Sequence, residues 1–319
     1  MILANTRQAF IDSLIELAAN NPEIVLVCSD SAKVVRADSY IDRFPERFID
    51  VGIAEQNAVA CAAGVASYGL IPFVATYAGF ITMRACEQVR TFVAYPNLNV
   101  KMVGANGGIA AGEREGVTHQ FFEDLGILRT IPGITIIVPA DAGQTRQAVK
   151  AAAEIPGPVY IRIGSGRDPV VHADDVPFEL GKIRILEEVG RDVAIFAAGG
   201  YPLNRALAAV KELAKQGIKA TAVEIHTLKP LDVDGIAEIL GQTKACVTVE
   251  DHNIIGGLGS AVAEVIAEHA PASLVRVGLR DVYPESGEPE QLLDAYGMGV
   301  EDIISACRQA ITNKERRQL

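Results

Sequence analysis

The carboxylate of Glu55 is the first group in this sequence that could do chemistry, because it stands where an apolar run turns into a helix. The stretch FIDVGIAEQNAVACAAGVASYG, residues 48–69, begins like a strand, breaks at Gly52 and continues as a helix of small residues from Ala54. Small side chains let another backbone come close, and a helix that is apolar on most sides is normally buried on most sides. We therefore expect Glu55 to lie at a packed junction.

Two roles are open to Glu55 at such a junction. The positive end of the helix dipole would hold its carboxylate ionised in a purely structural role. Desolvation would instead raise its pKa and let it share a proton with a ligand. Composition alone favours the structural role, because functional carboxylates are rare.

A glycine-rich segment supplies a second candidate, His119. The sequence GANGGIAAGEREGVTHQ, residues 104–120, contains five glycines and has His119 near its end. Glycines at this density let the backbone approach a ligand closely, and imidazole often serves as an acid or a base. A lone histidine in such a loop is as often a structural hydrogen-bonding group, so the loop alone is a weak signal.

Aromatic and basic side chains follow other strand ends. Phe80, at the end of YAGF, could stack on a heteroaromatic ring, although an ordinary core phenylalanine fits the same pattern. Arg162 and Arg167 lie at or after the last strand of the first half of the chain. There a guanidinium could hold a phosphate, or it could be a solvated surface charge.

The elements that must position these residues alternate between apolar strands and helices. Runs rich in valine and isoleucine, such as IVLV, IPFVA, NVKMVG, ITIIV and PVYIRI, are separated by helical segments. This pattern indicates a parallel sheet covered by helices on both faces. Ligands bind in the loops that follow the strands of such sheets. We assign residues 1–168 to this first α/β domain.

A second, smaller α/β domain follows a polar segment. Residues 169–190 predict a linker, and residues 191–319 repeat the alternation of strands and helices. Within that second domain, VEDHNIIGGLG superficially suggests a dinucleotide-binding turn. The third glycine of GxGxxG is replaced by Val262, however, and tight packing of a helix on the sheet explains these glycines.

Composition and charge exclude several classes of protein. The chain has 319 residues, 49% of them hydrophobic, which is enough for a large core. Its net charge of -11 argues against nucleic acid or an anionic membrane as a general partner. The apolar runs are shorter than the ~20 residues of a membrane span and no signal peptide is evident, so we expect a cytoplasmic protein. Five scattered cysteines without CxxC spacing indicate neither a disulfide framework nor a zinc site.

Four segments together resemble the C-terminal section of transketolase, a pyrimidine-binding domain followed by the transketolase C-terminal domain. In order they are VGIAEQNAVACAAGVASYGLIPFVATYAGF, GEREGVTHQFFEDLGILRTIPG, VEDHNIIGGLGSAVAE and DAYGMG. The family holds thiamine diphosphate between two chains, with the diphosphate and a divalent metal on a domain that carries GDG and a downstream Asn. GDG is absent from this sequence. The resemblance therefore implies one subunit of a split transketolase, active only with a partner subunit that carries the GDG...Asn motif and binds Mg²⁺.

The resemblance also implies roles for the residues of the cofactor site. Glu55 matches the glutamate that hydrogen-bonds N1′ of the aminopyrimidine and stabilises its imino tautomer. This role requires the desolvated, proton-sharing carboxyl group and so reverses the preference for a structural one. Phe80 matches the aromatic residue that stacks on the pyrimidine ring, and Ile53, Tyr77 and Met83 are implied as further cofactor-binding residues.

The same resemblance implies a substrate site that departs from the family pattern. His119 matches the histidine of GxTHQ, which contacts the donor hydroxyl, and Glu115 stands for an aspartate that the family carries in EDG. Asn106 stands near the place of a phosphate-contacting histidine. Arg167 is the first candidate for the substrate phosphate, but GSGR replaces a shorter SR, which leaves Arg162 as a rival. These departures suggest a specialised sugar phosphate such as apulose 4-phosphate.

The expected activity is transfer of a two-carbon ketol unit from a ketose phosphate to an aldose phosphate, by a heterotetramer of two such chains and two partner chains. One alternative is 1-deoxy-D-xylulose 5-phosphate synthase, which shares IAEQ and the YxxF spacing but is ordinarily one continuous chain. A second is the β subunit of a 2-oxo acid dehydrogenase decarboxylase, although THQFFEDLG is more typical of transketolase. A noncatalytic regulatory subunit is an alternative of another class.

Overall fold

Alternating strands and helices form the two α/β domains with mostly parallel sheets that the sequence predicts. The computed structural model of the chain describes residues 1–111, 115–172 and 176–318. Within those ranges, none of the helices combines the length and the apolar character needed to cross a bilayer.

The first domain is built around a seven-stranded sheet of order β12-β6-β7-β5-β4-β2-β3, whose edge strand β12 (Thr227–Lys229) comes from the second half of the chain. All neighbouring strands are parallel except β12 and β6. A separate antiparallel pair, β1 and β8, joins its two ends. Its elements are β1 (Leu3–Ala4), α1 (Thr6–Asn20), β2 (Ile24–Cys28), α2 (Asp38–Arg43), β3 (Phe48–Asp50), α3 (Glu55–Ser67), β4 (Ile71–Tyr77), α4 (Cys86–Gln88), β5 (Lys101–Ala105), α5 (Asp124–Arg129), β6 (Thr135–Ile137), α6 (Ala142–Glu154), β7 (Val159–Arg162) and β8 (Asp168–Pro169).

The second domain is built around a five-stranded sheet of order β14-β13-β10-β11-β9, in which only β9 is antiparallel to its neighbour. Its elements are β9 (Arg184–Glu188), β10 (Val193–Ala198), α7 (Gly200–Lys215), β11 (Ala220–Glu224), β12 (Thr227–Lys229), α8 (Val233–Thr243), β13 (Ala245–Asn253), α9 (Leu258–Glu268), β14 (Ser273–Leu279), α10 (Pro289–Ala295) and α11 (Val300–Arg317).

Two strands of the two main sheets lie where sequence periodicity gives no sign of them. β9 falls inside the segment predicted as a linker. Each of its residues is either partly buried or exposed, so the strand lacks the apolar run that would have predicted it. β12 belongs to the second domain in sequence but pairs with β6 of the first sheet. The second domain thus supplies an edge strand to the first.

The helix α3 is buried on one side only. Ala58 and Ala62 lie in an apolar cluster with Val74 of the sheet, whereas Gln56 and Gly64 on the other side are exposed. The expectation that this helix is buried on most sides is therefore wrong for the single chain, because the sheet covers just one of its faces. A face of small residues remains open to solvent.

A buried polar junction joins the two domains. The carboxylate of Asp251 accepts hydrogen bonds from the backbone N–H groups of Ile109 and Ala110, at 2.8 and 3.1 Å. Nη2 of Arg162 donates to the carbonyl oxygen of Asp251 at 3.0 Å. The Arg162 guanidinium also donates to both carboxylate oxygens of Asp124, at 2.9 and 3.0 Å. Buried charges of this kind are tolerated only when they are paired and hydrogen-bonded.

The glycine-rich turn before α9 binds a carboxylate of the chain itself. Glu250 accepts hydrogen bonds from the N–H groups of Leu258 and Gly259, at 2.6 and 2.8 Å, at the start of that helix. Burial raises the pKa of Glu250 to about 7. A Cβ atom on Gly257 would lie 2.1 Å from Oε2 of Glu250. These contacts favour tight packing over dinucleotide binding as the reason for the glycines.

Candidate functional site

The site lies at the carboxyl edge of the first sheet. Strands β5, β4, β2 and β3 are parallel neighbours, so their carboxyl ends meet at that edge. Glu55 follows β3, Phe80 follows β4 and Asn106 follows β5. Three of the predicted residues are therefore delivered to one edge by the strand order alone.

Glu55 is a buried carboxylate at the beginning of α3. The residue is 5% exposed and is the acidic group of the first turn of the helix. Ala54, which precedes it, makes no capping hydrogen bond through its side chain. Its Oε1 accepts a hydrogen bond from Nη1 of Arg84 at 3.0 Å. The structure thus places Glu55 at a packed junction, as expected, and pairs it with a cation that sequence reasoning did not select.

Phe80 belongs to a cluster of four rings. Its centroid lies 5.2 Å from the ring of Tyr77, 5.2 Å from that of His119 and 5.1 Å from that of Phe121. The rings of Tyr77 and His119 are 4.9 Å apart and meet edge to face. Edge-to-face contacts are the preferred geometry of aromatic pairs, so the cluster holds Phe80 from the side.

The backbone that carries Phe80 is unusual. Residues Phe80–Arg84 and Val89–Ala94 form π-helical turns, which occur frequently at functional sites. A Cβ atom on Gly79 would lie 1.9 Å from the Phe121 ring, so only glycine allows this ring to pack against the turn. Close packing therefore fixes the place of Phe80.

Arg84 is the main residue that sequence reasoning missed. Its guanidinium carbon lies 3.6 Å from the centroid of the Phe80 ring, and its Nη1 is the donor to Glu55. The side chain is 49% exposed. The only signal in the sequence is its position four residues after Phe80, which places the two side chains on one side of a helical turn.

Large apolar side chains near this site are exposed in the single chain. Ile53 is 74% exposed and Met83 is 41% exposed, and Val117 on the glycine-rich segment is also exposed. Ile53 precedes Glu55 by two residues, and Met83 lies in the same turn as Phe80. Exposed apolar side chains close in sequence to the site residues are typical of a surface that a ligand or a partner covers.

His119 and Glu115 belong to the glycine-rich segment, which contributes the His119 ring to the aromatic cluster. Residues 112–114 of this segment are outside the described ranges. His119 ends a short 3₁₀ turn, and its Nδ1 lies 3.0 Å from the hydroxyl oxygen of Thr118. Burial raises the pKa of Tyr77, the negative charge of Glu115 raises it further, and the charge of Arg7 opposes both. The charges of Glu115 and Arg7 therefore act on the hydroxyl of Tyr77, a member of the ring cluster.

Asn106 is buried beside an arginine that was also missed. It is 1% exposed, its φ of 58° is in the left-handed region, and its Nδ2 has no hydrogen-bond partner among the described residues. Its Oδ1 accepts a hydrogen bond from Nη2 of Arg7. Nη1 and Nε of the same arginine donate to the carbonyl oxygens of Val34 and Gly164, at 3.3 and 3.4 Å. Arg7 thereby ties together three loops at the carboxyl edge, and no local pattern in the sequence marks it.

The two arginines proposed for a phosphate differ in their surroundings. Arg162 is buried, and its donors are engaged by Asp124 and by the junction described above. The Arg167 side chain is 44% exposed and lies 3.6 Å from a carboxylate oxygen of Glu288. Arg162 is therefore a structural residue of the domain junction, whereas Arg167 has a side chain that a ligand could reach.

The described residues contain no group of three or more His, Cys, Asp and Glu side chains that could hold a metal ion. What the site offers instead is a buried carboxylate, a flat aromatic face close to it, and an imidazole on the facing loop. Together these can hold a planar heteroaromatic ring that carries a protonatable nitrogen. The exposed apolar side chains indicate that the site is completed by something outside this chain.

Comparison with known proteins gives two family matches that cover most of the chain. Residues 3–166 match the family model of the transketolase pyrimidine-binding domain, and residues 181–303 match that of the transketolase C-terminal domain.

Similar proteins span nearly the same length. A 6-deoxy-6-sulfo-D-fructose transketolase subunit of Clostridium sp. (strain MSTE9) is 41% identical over 98% of this chain and 96% of its own. An apulose-4-phosphate transketolase subunit of Phocaeicola vulgatus is 38% identical over 96% of each chain. A solved structure described as a split gene transketolase, inactive β4 tetramer, is 43% identical, covers 97% of this chain and 98% of its own, and superposes with a TM-score of 0.87.

Proposed function

The chain belongs to the transketolase family, and from that premise we propose that it is the C-terminal subunit of a thiamine-diphosphate-dependent split transketolase. With a separate diphosphate-binding subunit, it transfers a two-carbon ketol unit from a ketose phosphate to an aldose phosphate in the cytoplasm. The observation that carries this proposal is the buried carboxylate of Glu55 beside the face of Phe80, since the Arg84 guanidinium reaches both.

The residues around Glu55 fit the aminopyrimidine end of thiamine diphosphate. Glu55 would hydrogen-bond N1′ of the ring through its carboxyl group and share a proton with it. Phe80 would stack on the ring, while Tyr77 supports Phe80 from the side. Ile53 and Met83 would exclude water from the ring. When bound, thiamine diphosphate supplies the carbanion-stabilising chemistry of the reaction.

On the substrate side, we assign the donor sugar to the glycine-rich segment. His119 would hydrogen-bond a hydroxyl of the donor near the reacting carbons, and Glu115 and Asn106 would contact the sugar next to it. Nδ2 of Asn106 has no partner in the described parts of the chain but is buried, so it would reach a hydroxyl oxygen of the sugar only if the segment around it moves. Arg167 would pair with the phosphate, because Arg162 is engaged at the domain junction.

The partner subunit would supply what this chain lacks. A chain with GDG and a downstream Asn would hold the diphosphate and Mg²⁺, and two copies of each chain would form a heterotetramer. Exposed Ile53, Met83 and Val117 are apolar groups that such a partner would cover. The names of two relatives, which specify a sulfosugar and apulose 4-phosphate, support a specialised anionic sugar as substrate.

The experiment that tests this function mixes the purified chain with its partner subunit, thiamine diphosphate, Mg²⁺, a panel of ketose phosphates and an aldose acceptor. We expect ketol transfer by the mixture and none by either chain alone. Release of carbon dioxide from pyruvate would indicate a deoxyxylulose phosphate synthase instead, and reduction of lipoyl groups would indicate a 2-oxo acid dehydrogenase. A mixture that binds the cofactor but transfers no ketol unit would contradict the proposal.

For His119, we expect His119→Asn to lower kcat/KM for the ketose donor on the order of tenfold, the value of one neutral hydrogen bond. Steady-state kinetics of the assembled complex measure this, and calorimetry should give an unchanged affinity for thiamine diphosphate. His269→Asn is a control, because His269 is an exposed residue at the end of α9 in the second domain. A loss of cofactor affinity equal to the loss of kcat/KM would mean that His119 serves the cofactor rather than the sugar.

A further inference from the structure

In this chain the guanidinium of Arg84 already makes both contacts that the proposed function assigns to the aminopyrimidine. Its carbon lies 3.6 Å from the Phe80 ring centroid, within the range of a cation–π contact. Its Nη1 donates to Oε1 of Glu55 at 3.0 Å. One flat, cationic group thus bridges the ring face and the carboxylate.

An aminopyrimidine that stacks on Phe80 and hydrogen-bonds Glu55 must use the same space. The ring face and the carboxylate are joined by a group only as large as a guanidinium, and two planar groups cannot lie between them at once. The guanidinium also resembles the ligand chemically. It is planar and donates an N–H to the carboxylate, as N1′ of the pyrimidine would when it carries the shared proton.

We propose that Arg84 is an internal substitute for the aminopyrimidine, which closes the cofactor site of the unassembled chain and leaves it when the cofactor arrives with the partner subunit. The inference rests on the proposed function and adds a regulation of the same site. It explains how the buried carboxylate keeps a positive partner, and the partly exposed face of Phe80 keeps a covering group, in a chain that would hold only one end of the cofactor.

The guanidinium of Arg84 can be displaced from Glu55 and Phe80. Its side chain is 49% exposed, while that of Glu55 is 6% exposed, so the cation can move into water and the carboxylate cannot. A half-exposed ion pair and a single cation–π contact are each weak. An incoming ring anchored through a diphosphate on the partner can therefore displace the guanidinium. Thiamine without that anchor would bind the lone chain poorly.

The test measures binding of thiamine, which lacks the diphosphate, to the lone chain by isothermal titration calorimetry. We expect Arg84→Ala to lower the dissociation constant for thiamine roughly tenfold relative to wild type, and Arg84→Lys to lower it less, because lysine keeps the charge without the flat stacking surface. Arg90→Ala is the matched control, since Arg90 is exposed on the same helical stretch and contacts Thr91 at 3.4 Å. Circular dichroism verifies that each variant is folded.

Two outcomes would overturn the inference. A folded Arg84→Ala or Arg84→Lys chain that binds thiamine no better than wild type would mean that Arg84 does not compete for the site. An assembled Arg84→Ala complex that binds thiamine diphosphate at least tenfold more weakly than wild type would make Arg84 a cofactor contact. Failure of the wild-type complex to bind thiamine diphosphate would instead contradict the proposed function itself.

Discussion

We expect Glu55→Gln to lower the rate of ketol transfer by the assembled complex by about 10²-fold or more, the usual effect of removing a positioned acid or base. Glutamine is isosteric with glutamate but cannot hold or release the proton that, in the proposed function, the carboxyl group shares with N1′ of the pyrimidine. The loss should appear in kcat and in kcat/KM alike, because the missing interaction serves the chemistry rather than the binding of the sugar.

The matched control for this variant is Glu16→Gln. Glu16 also pairs with a basic residue, since its carboxylate lies 2.7 Å from Nζ of Lys150, but this pair is on the surface between α1 and α6. We expect its activity to stay within about twofold of wild type, as for most surface ion pairs. A noncatalytic regulatory subunit makes the opposite prediction for Glu55. If the Glu55→Gln complex binds thiamine diphosphate and keeps wild-type activity, the catalytic role of Glu55 is wrong.

The second large effect is on stability. We expect Arg162→Met to lower the free energy of unfolding by about 3–5 kcal/mol, because it leaves a buried carboxylate of Asp124 without its cation. The substitution also removes the donor to the carbonyl oxygens of Phe121 and Asp251, and so weakens the contact between the two domains. Chemical unfolding followed by circular dichroism measures the change.

A surface arginine provides the comparison for Arg162. Arg191 is 62% exposed at its side chain and lies 3.9 Å from a carboxylate oxygen of Glu188, so Arg191→Met should change the free energy of unfolding by less than about 1 kcal/mol. The double variant Arg162→Met, Asp124→Leu should recover part of the lost stability, because it removes the unpaired charge as well. If the Arg162→Met chain is as stable as wild type, and its assembled complex has a raised KM for the sugar phosphate, then Arg162 binds the substrate and is not mainly structural.

Much of the site follows from local sequence. The alternation of apolar strands with helices predicts a parallel sheet. Ligands of such sheets bind in the loops that follow the strands, and this rule selects Glu55, Phe80 and His119 as candidate site residues. The structure brings Glu55 and Phe80 to one edge and packs His119 against Phe80 at 5.2 Å. The family resemblance of the motifs then implies their roles, which remain predictions for the experiments above.

The sequence by itself determined the class of fold, the family and the residues at strand ends, because hydrophobic periodicity and motif spacing are properties of short segments. The tertiary structure decided which side chains meet across long separations. It pairs Glu55 with Arg84, buries Arg162 against Asp124 and joins Arg7 to Asn106. Such pairs are set by the packing of whole elements on the sheet, which no local pattern encodes. For the same reason the strand that the second domain adds to the first sheet could not be read from its sequence.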